Sequence, residues 1–109
     1  MYITLGDEMK TMYVKVHETN KGKIVAACDE ELLGKVLDDG NAYLDLKMHR
    51  AFYEGELIGE KELEDALSKF QSANLVGKLA VSVALKLKLA SKDSVIYINK
   101  TPHIQIYRL

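Results

Sequence analysis

Ala73-Asn74-Leu75-Val76-Gly77-Lys78-Leu79-Ala80-Val81-Ser82-Val83-Ala84-Leu85-Lys86-Leu87-Lys88-Leu89-Ala90 is the stretch around which this chain must fold. At about 100° per residue, Val76, Leu79, Ala80, Val83, Ala84, Leu87 and Ala90 fall on one arc, which predicts a long helix running to Ala90. Asn74 stands where an N-cap belongs, its side-chain oxygen placed to accept a backbone N–H. Gly77 then falls in the first turn, with Lys78 beside it. A second stripe, Val81, Leu85 and Leu89, lies on the opposite, lysine-bearing side of the same helix. A surface helix does not need that stripe, so it calls for cover by another element or another subunit. With Lys78, Lys88 and Lys92 around it, the stripe reads as an apolar seam with a charged rim, the pattern of a homodimer across a two-fold axis.

Working outward, Glu60 to Phe70 carries Leu63, Ala66, Leu67 and Phe70 at helical spacing, with acids at its start and Lys69 near its end. Tyr13-Val14-Lys15-Val16-His17 alternates as a strand with the valines inward. Asn20-Lys21-Gly22-Lys23 is a turn, and Ile24 to Cys28 completes a hairpin. Asp29 is placed as the cap of a short helix through Glu30, Glu31 and Leu32 that Gly34 limits. Tyr43 to Met48, Glu56 to Ile58, Ser94 to Ile98 and His103 to Leu109 supply further strands. This order predicts a single α+β domain over residues 12–109, with residues 1–11 as a possible N-terminal extension. A mostly antiparallel sheet of about five strands packs against one long and one shorter helix.

The chain has 109 residues, 48% hydrophobic and 28% charged, with one cysteine. A single Cys excludes an internal disulfide framework, and the scattered His17, His49 and His103 offer no zinc spacing, so neither metal nor cofactor is expected. No apolar run approaches a membrane span and no signal peptide opens the chain, so a cytoplasmic protein without a membrane partner is expected. The net charge of -1 hides segregation: residues 29–67 hold 12 acids against four bases, and residues 68–109 hold seven bases against Asp93. Such asymmetry marks a basic binding face or two halves that complement each other within the fold. Thirteen of the 15 bases are Lys, which lack the planar fork used for dense nucleic-acid contacts.

Three groups of residues have chemistry to offer. Asn74, Gly77 and Lys78 at a helix N-terminus suit a small anion, or are an ordinary cap. Cys28, between a buried strand and an expected helix start, is either an activated thiol with His103 as its base or a buried small hydrophobe. Alternation in the first and last strands sets Tyr13, Lys15 and His17 beside His103, Gln105 and Tyr107 if both strands share a sheet. Polar and aromatic side chains on an open sheet bind single-stranded RNA, and Lys86 and Lys88 would meet phosphates. The motif of the common four-stranded RNA-recognition fold is absent. Asn74, Gly77, His103 and Gln105 are expected to share one surface concavity.

Tyr13-Val14-Lys15-Val16, Cys28-Asp29-Glu30-Glu31-Leu32-Leu33-Gly34-Lys35, Phe52-Tyr53-Glu54-Gly55, Ala73-Asn74-Leu75-Val76-Gly77 and Pro102-His103-Ile104-Gln105-Ile106 together resemble one family. It is the archaeal conserved domain of unknown function numbered 424, and the resemblance spans Met12 to Leu109. The resemblance implies an archaeal cytoplasmic α+β protein with an association to translation or ribosome assembly, and it carries no established activity. Residues and resemblance together lead to a non-catalytic RNA- or ribonucleoprotein-binding module. The alternatives are a protein–protein adaptor using the acidic 29–67 region, or a small hydrolase or transferase with a pocket around Cys28, Asn74 and His103.

Overall fold

The computed structural model describes residues 11–108, so residues 1–10 of the expected extension, with the short strand that Tyr2-Ile3-Thr4-Leu5 could form, lie outside the described residues. Strand β1 (Met12–Thr19) turns through Asn20 and Lys21 into β2 (Gly22–Asp29), as the alternation predicts. A 3-10 turn at Glu30–Leu32 leads to a small hairpin, β3 (Val36–Asp38) and β4 (Tyr43–Asp45). Helix α1 (Arg50–Tyr53) and strand β5 (Glu56–Ile58) follow, then helix α2 (Glu60–Ala66). Strand β6 (Ser72–Val76), helix α3 (Lys78–Lys86), strand β7 (Ile96–Ile98) and strand β8 (Thr101–Tyr107) complete the order.

The main sheet has six strands in the order β5-β1-β2-β6-β8-β7, with β3 and β4 as a separate two-stranded sheet. Only β2 and β6 run parallel; the other neighbouring pairs are antiparallel. The α+β class and the single domain stand, while the expected five strands become six plus two.

The largest departure lies in the opening stretch. Residues 72–76 form a central strand, not the lead into a helix, and Asn74 is no N-cap. Gly77, at φ 111, breaks the chain between strand and helix and is itself the N-cap residue. Helix α3 then spans only nine residues. It ends in a Schellman turn: Leu89 N–H donates to the Ala84 carbonyl at 3.0 Å and Lys88 N–H to that of Leu85 at 3.0 Å. Lys88 occupies the left-handed position at φ 59 where glycine is the usual signal, so periodicity alone carried the expected helix on to Ala90. The helix expected over residues 60–70 likewise stops at Ala66, and Phe70 enters the core from the following turn.

Each face of the sheet has its own core. On one face, Met12, Val14, Val25, Ala27, Ala73, Leu75 and Ile104 pack beneath α2 and α3 through Leu63, Leu67, Ala80, Val81, Val83 and Ala84. Burying each of the larger side chains contributes roughly 1.5–3 kcal/mol. Val81 is fully inside this core, and Leu85 and Leu89 pack half-buried against it, so the chain itself covers the second stripe. Lys86 reaches across to Glu64 of α2 at 2.9 Å. On the other face, Ala26, Cys28, Val76 and Ile98 lie under Leu37, Leu46 and Tyr53. The Asp39 side chain accepts from Asn99 N–H at 3.0 Å and fastens the small hairpin over that end.

Candidate functional site

Strand register arranges the candidate residues in rows across this second face. Tyr13, Cys28, Val76, His103 and Ile96 are successive partners in one row. Lys15, Ala26, Asn74 and Gln105 form the next, and His17, Ile24, Ser72 and Tyr107 the third. The expectation that Tyr13, Lys15, His17, His103, Gln105 and Tyr107 share a face is met by this register. Helix α1 crosses the β1 side: the His17 ring stacks on Phe52 with centroids 4.7 Å apart, and the Lys15 ammonium donates to the Ala51 carbonyl at 3.0 Å. The β8 side is open, with Gln105 and Tyr107 exposed and the Tyr107 hydroxyl donating to Gln105 Oε1 at 3.2 Å.

Between the covered and open parts sits a hydrogen-bonded cluster. Asn74 Oδ1 accepts from the Tyr53 hydroxyl at 2.6 Å and from His103 Nε2–H at 3.0 Å. That assignment leaves His103 Nδ1 unprotonated, and it is buried without a partner. Burial lowers the His103 pKa below its ordinary 6.5, and burial likewise pushes the Tyr53 hydroxyl up. A neutral histidine is the form this cluster accepts. Asn74 and His103 therefore meet in a largely buried cluster, His103 being only 6% exposed. Gln105 pairs with Asn74 in register but turns its exposed side chain to Tyr107, and it shares with His103 only a shallow groove of about 260 Å³ that Asn74 does not line.

Gly77 and Lys78 do not join them. The N-terminus of α3 is already occupied from within: Leu79 and Ala80 donate their N–H groups to the Asp29 carboxylate at 2.9 and 2.8 Å. Asp29 was expected to cap the segment that follows it. Its side chain makes no such bond and instead caps a helix about 50 residues later in the chain. The anion expected at Asn74, Gly77 and Lys78 is thus supplied by the protein.

Cys28 is fully buried, and burial, then the neighbouring Asp29 and Glu31 charges, push its thiol up to about 12. Val76 of β6 lies between it and His103, so two strand spacings, about 9–10 Å, separate the rows' two reactive types. That is too far for a thiol–imidazole pair. Lys86 and Lys88 belong to the α3 layer on the opposite side of the sheet from Tyr107 and His17, so they do not extend the polar-aromatic face. Among the described residues, no group of three or more His, Cys, Asp or Glu could hold a metal ion.

A family model described as "Protein of unknown function (DUF424)" matches residues 16–109. The chain belongs to this family. A solved structure titled "Crystal structure of an uncharacterized conserved protein from Methanopyrus kandleri" is similar at 28% identity and a TM-score of 0.74, covering 91% of this chain and 92% of that one. No curated protein matches the chain. No described helix of this DUF424 chain is long and apolar enough to cross a membrane.

Sequence reasoning missed three participants. Tyr53 is 2% exposed and Phe52 half-buried, in a segment whose lack of periodicity concealed their place over the sheet. Asp29 was read for its local neighbours, and no sequence signal connects it to Leu79.

Proposed function

We propose that the protein is a non-catalytic RNA- or ribonucleoprotein-binding module of the cytoplasm, working in translation or ribosome assembly, and that the open β8 side of the polar-aromatic face takes single-stranded bases. The observation that supports this reading is the third and second rows: Tyr107, 70% exposed, stands beside the exposed Gln105 on a sheet floor that continues to Ser72, Asn74 and His17. An exposed aromatic ring next to an amide on a rigid strand offers stacking and a base-edge contact together. The buried, protonated Cys28 and its distance from His103 speak against the hydrolase or transferase alternative. The place in translation or ribosome assembly is drawn from the family resemblance alone.

Titration of a fluorescent single-stranded oligouridine tests the reading. Binding that weakens with salt is expected, since phosphate contacts release counterions. Stacking is worth about 1–3 kcal/mol per base, so Tyr107→Ala should lower affinity by about fivefold to about 150-fold. Lys86→Ala with Lys88→Ala, on the far side of the sheet, should leave it within about twofold. No binding at low salt, or binding that Tyr107→Ala leaves intact, would overturn the proposal.

A further inference from the structure

The sheet ends in two three-residue strands, β5 and β7, that cover their neighbours only in part. Strand β5 pairs with Met12, Tyr13 and Val14 of β1 and stops there. The two-residue turn between Thr19 and Gly22 sets the hydrogen-bonding phase of β1, because antiparallel pairs alternate. Residues 13, 15, 17 and 19 bond to β2, and residues 12, 14, 16 and 18 turn N–H and C=O outward. The Val14 carbonyl, pointing outward onto Gly55, fits this phase. Among the described residues, nothing pairs with the outward groups of Val16 and Glu18.

A groove of about 630 Å³ runs along this edge on the α2 side, with Val14, Val16, Ile58 and Ala66 as its apolar floor. Val16 is 41% exposed. Glu56 and Glu62 line the groove, and Glu18 follows Val16 on the same face of β1. Lys15 also borders the groove, but its ammonium turns to the opposite face and donates to Ala51. Lys23 stands 3.9 Å from Glu18, and Lys69 lines the next groove with Glu18, so the acidic surround of the Val16 groove rests on Glu56 and Glu62. An open strand edge is a template for another strand. An apolar floor at alternate positions asks for an apolar side chain on that strand, and the surrounding carboxylates ask for positive charge beside it.

We infer that the open edge of β1, from Lys15 to Thr19, takes an extended segment of a partner protein that carries an apolar residue flanked by lysines or arginines. The segment continues the sheet past the end of β5 and lays its apolar side chain over Val16. This surface is separate from the Gln105–Tyr107 side, at the other end of the sheet, so protein and RNA would be held at once.

The test uses the synthetic peptide Lys-Thr-Val-Thr-Lys-Thr-Val-Thr-Lys and its counterpart with Glu in place of each Lys, followed by amide NMR on the full chain. The basic peptide should shift and protect the Val16 and Glu18 amides and bind about tenfold more tightly than the acidic one. Glu56→Lys should weaken it several-fold. Val16→Pro, which removes the outward N–H together with the Val16 side chain, should abolish the protection of the Glu18 amide. If Val16→Pro does not fold, Glu56→Lys carries the mutational test. Four results would overturn the inference: Val16 and Glu18 amides already protected in the free chain, equal binding of both peptides, shifts confined to other strands, or no binding at all.

Discussion

Gly77 lies directly against the carboxylate of Asp29. A Cβ at Gly77 would stand 2.5 and 2.6 Å from the two carboxylate oxygens that hold Leu79 and Ala80. The glycine is also at φ 111, where an L side chain is strained. One position thus satisfies two demands, a left-handed break between β6 and α3 and room for a cap brought from β2.

Gly77→Ala should therefore cost about 3 kcal/mol or more in urea unfolding, near the top of the range for single substitutions. Asp29→Ala, which leaves one buried and one part-buried N–H group without their acceptor, should cost about 2 kcal/mol. In the double variant the collision vanishes while the strained φ persists, so the two losses should add to less than their sum. Simple additivity would show that Gly77 is needed for its φ alone.

The His103 cluster sets a pH dependence. Its pKa is lowered in the folded chain, chiefly by burial, so between that value and 6.5 the unfolded chain binds more protons. Stability should then fall as pH drops through 6.5 toward the folded value, and should be regained above 6.5. Asp29 acts with the opposite sign. Burial raises its pKa above 3.8 despite the two N–H donors, so its contribution is fully present below 3.8 and is lost as pH rises through the folded value. His103→Gln should flatten the unfolding free energy near pH 6. A profile unchanged by that substitution would place the titrating group elsewhere.

The hairpin β1–β2 was legible because Val14 and Val16 alternate with polar residues and Gly22 marks the turn; a half-buried strand writes its period into the sequence. Strand β6 was not legible for the converse reason. Ala73 and Leu75 face one core while Val76 faces the other, so the run is apolar on both sides and reads equally as a helix start. The common face of Tyr13, Lys15, His17, His103, Gln105 and Tyr107 followed from alternation in the first and last strands, whereas Asn74, read as a helix cap, joins it only through β6. The Asp29 cap and the Tyr53–Asn74–His103 cluster join residues far apart in sequence, and only the sheet order brings them together.

Cys28 supplies a test of the non-catalytic reading. A thiol pushed up to about 12 is almost wholly protonated at neutral pH, and the thiolate is the reactive species. Labelling by an aromatic disulfide reagent near pH 8 should be limited by opening of the fold and should become fast in strong urea. Complete reaction within seconds in the native chain would restore Cys28 as a candidate nucleophile.

Lys88 gives the last prediction. It holds φ 59 at the end of α3, and Lys88 N–H and Leu89 N–H close the Schellman turn that draws Leu89 onto the core. A non-glycine residue in this region is under strain of about 1 kcal/mol, and glycine removes it while gaining flexibility in the unfolded chain. The first effect is the larger at a left-handed helix end, so Lys88→Gly should raise stability by about 0.5–1 kcal/mol. The same substitution removes one of the lysines first assigned to phosphate contact. Because Lys88 lies in the α3 layer, a chain that is more stable yet binds oligouridine as before is the expected result, whereas weakened RNA binding would move the nucleic-acid surface from the strands to this helix.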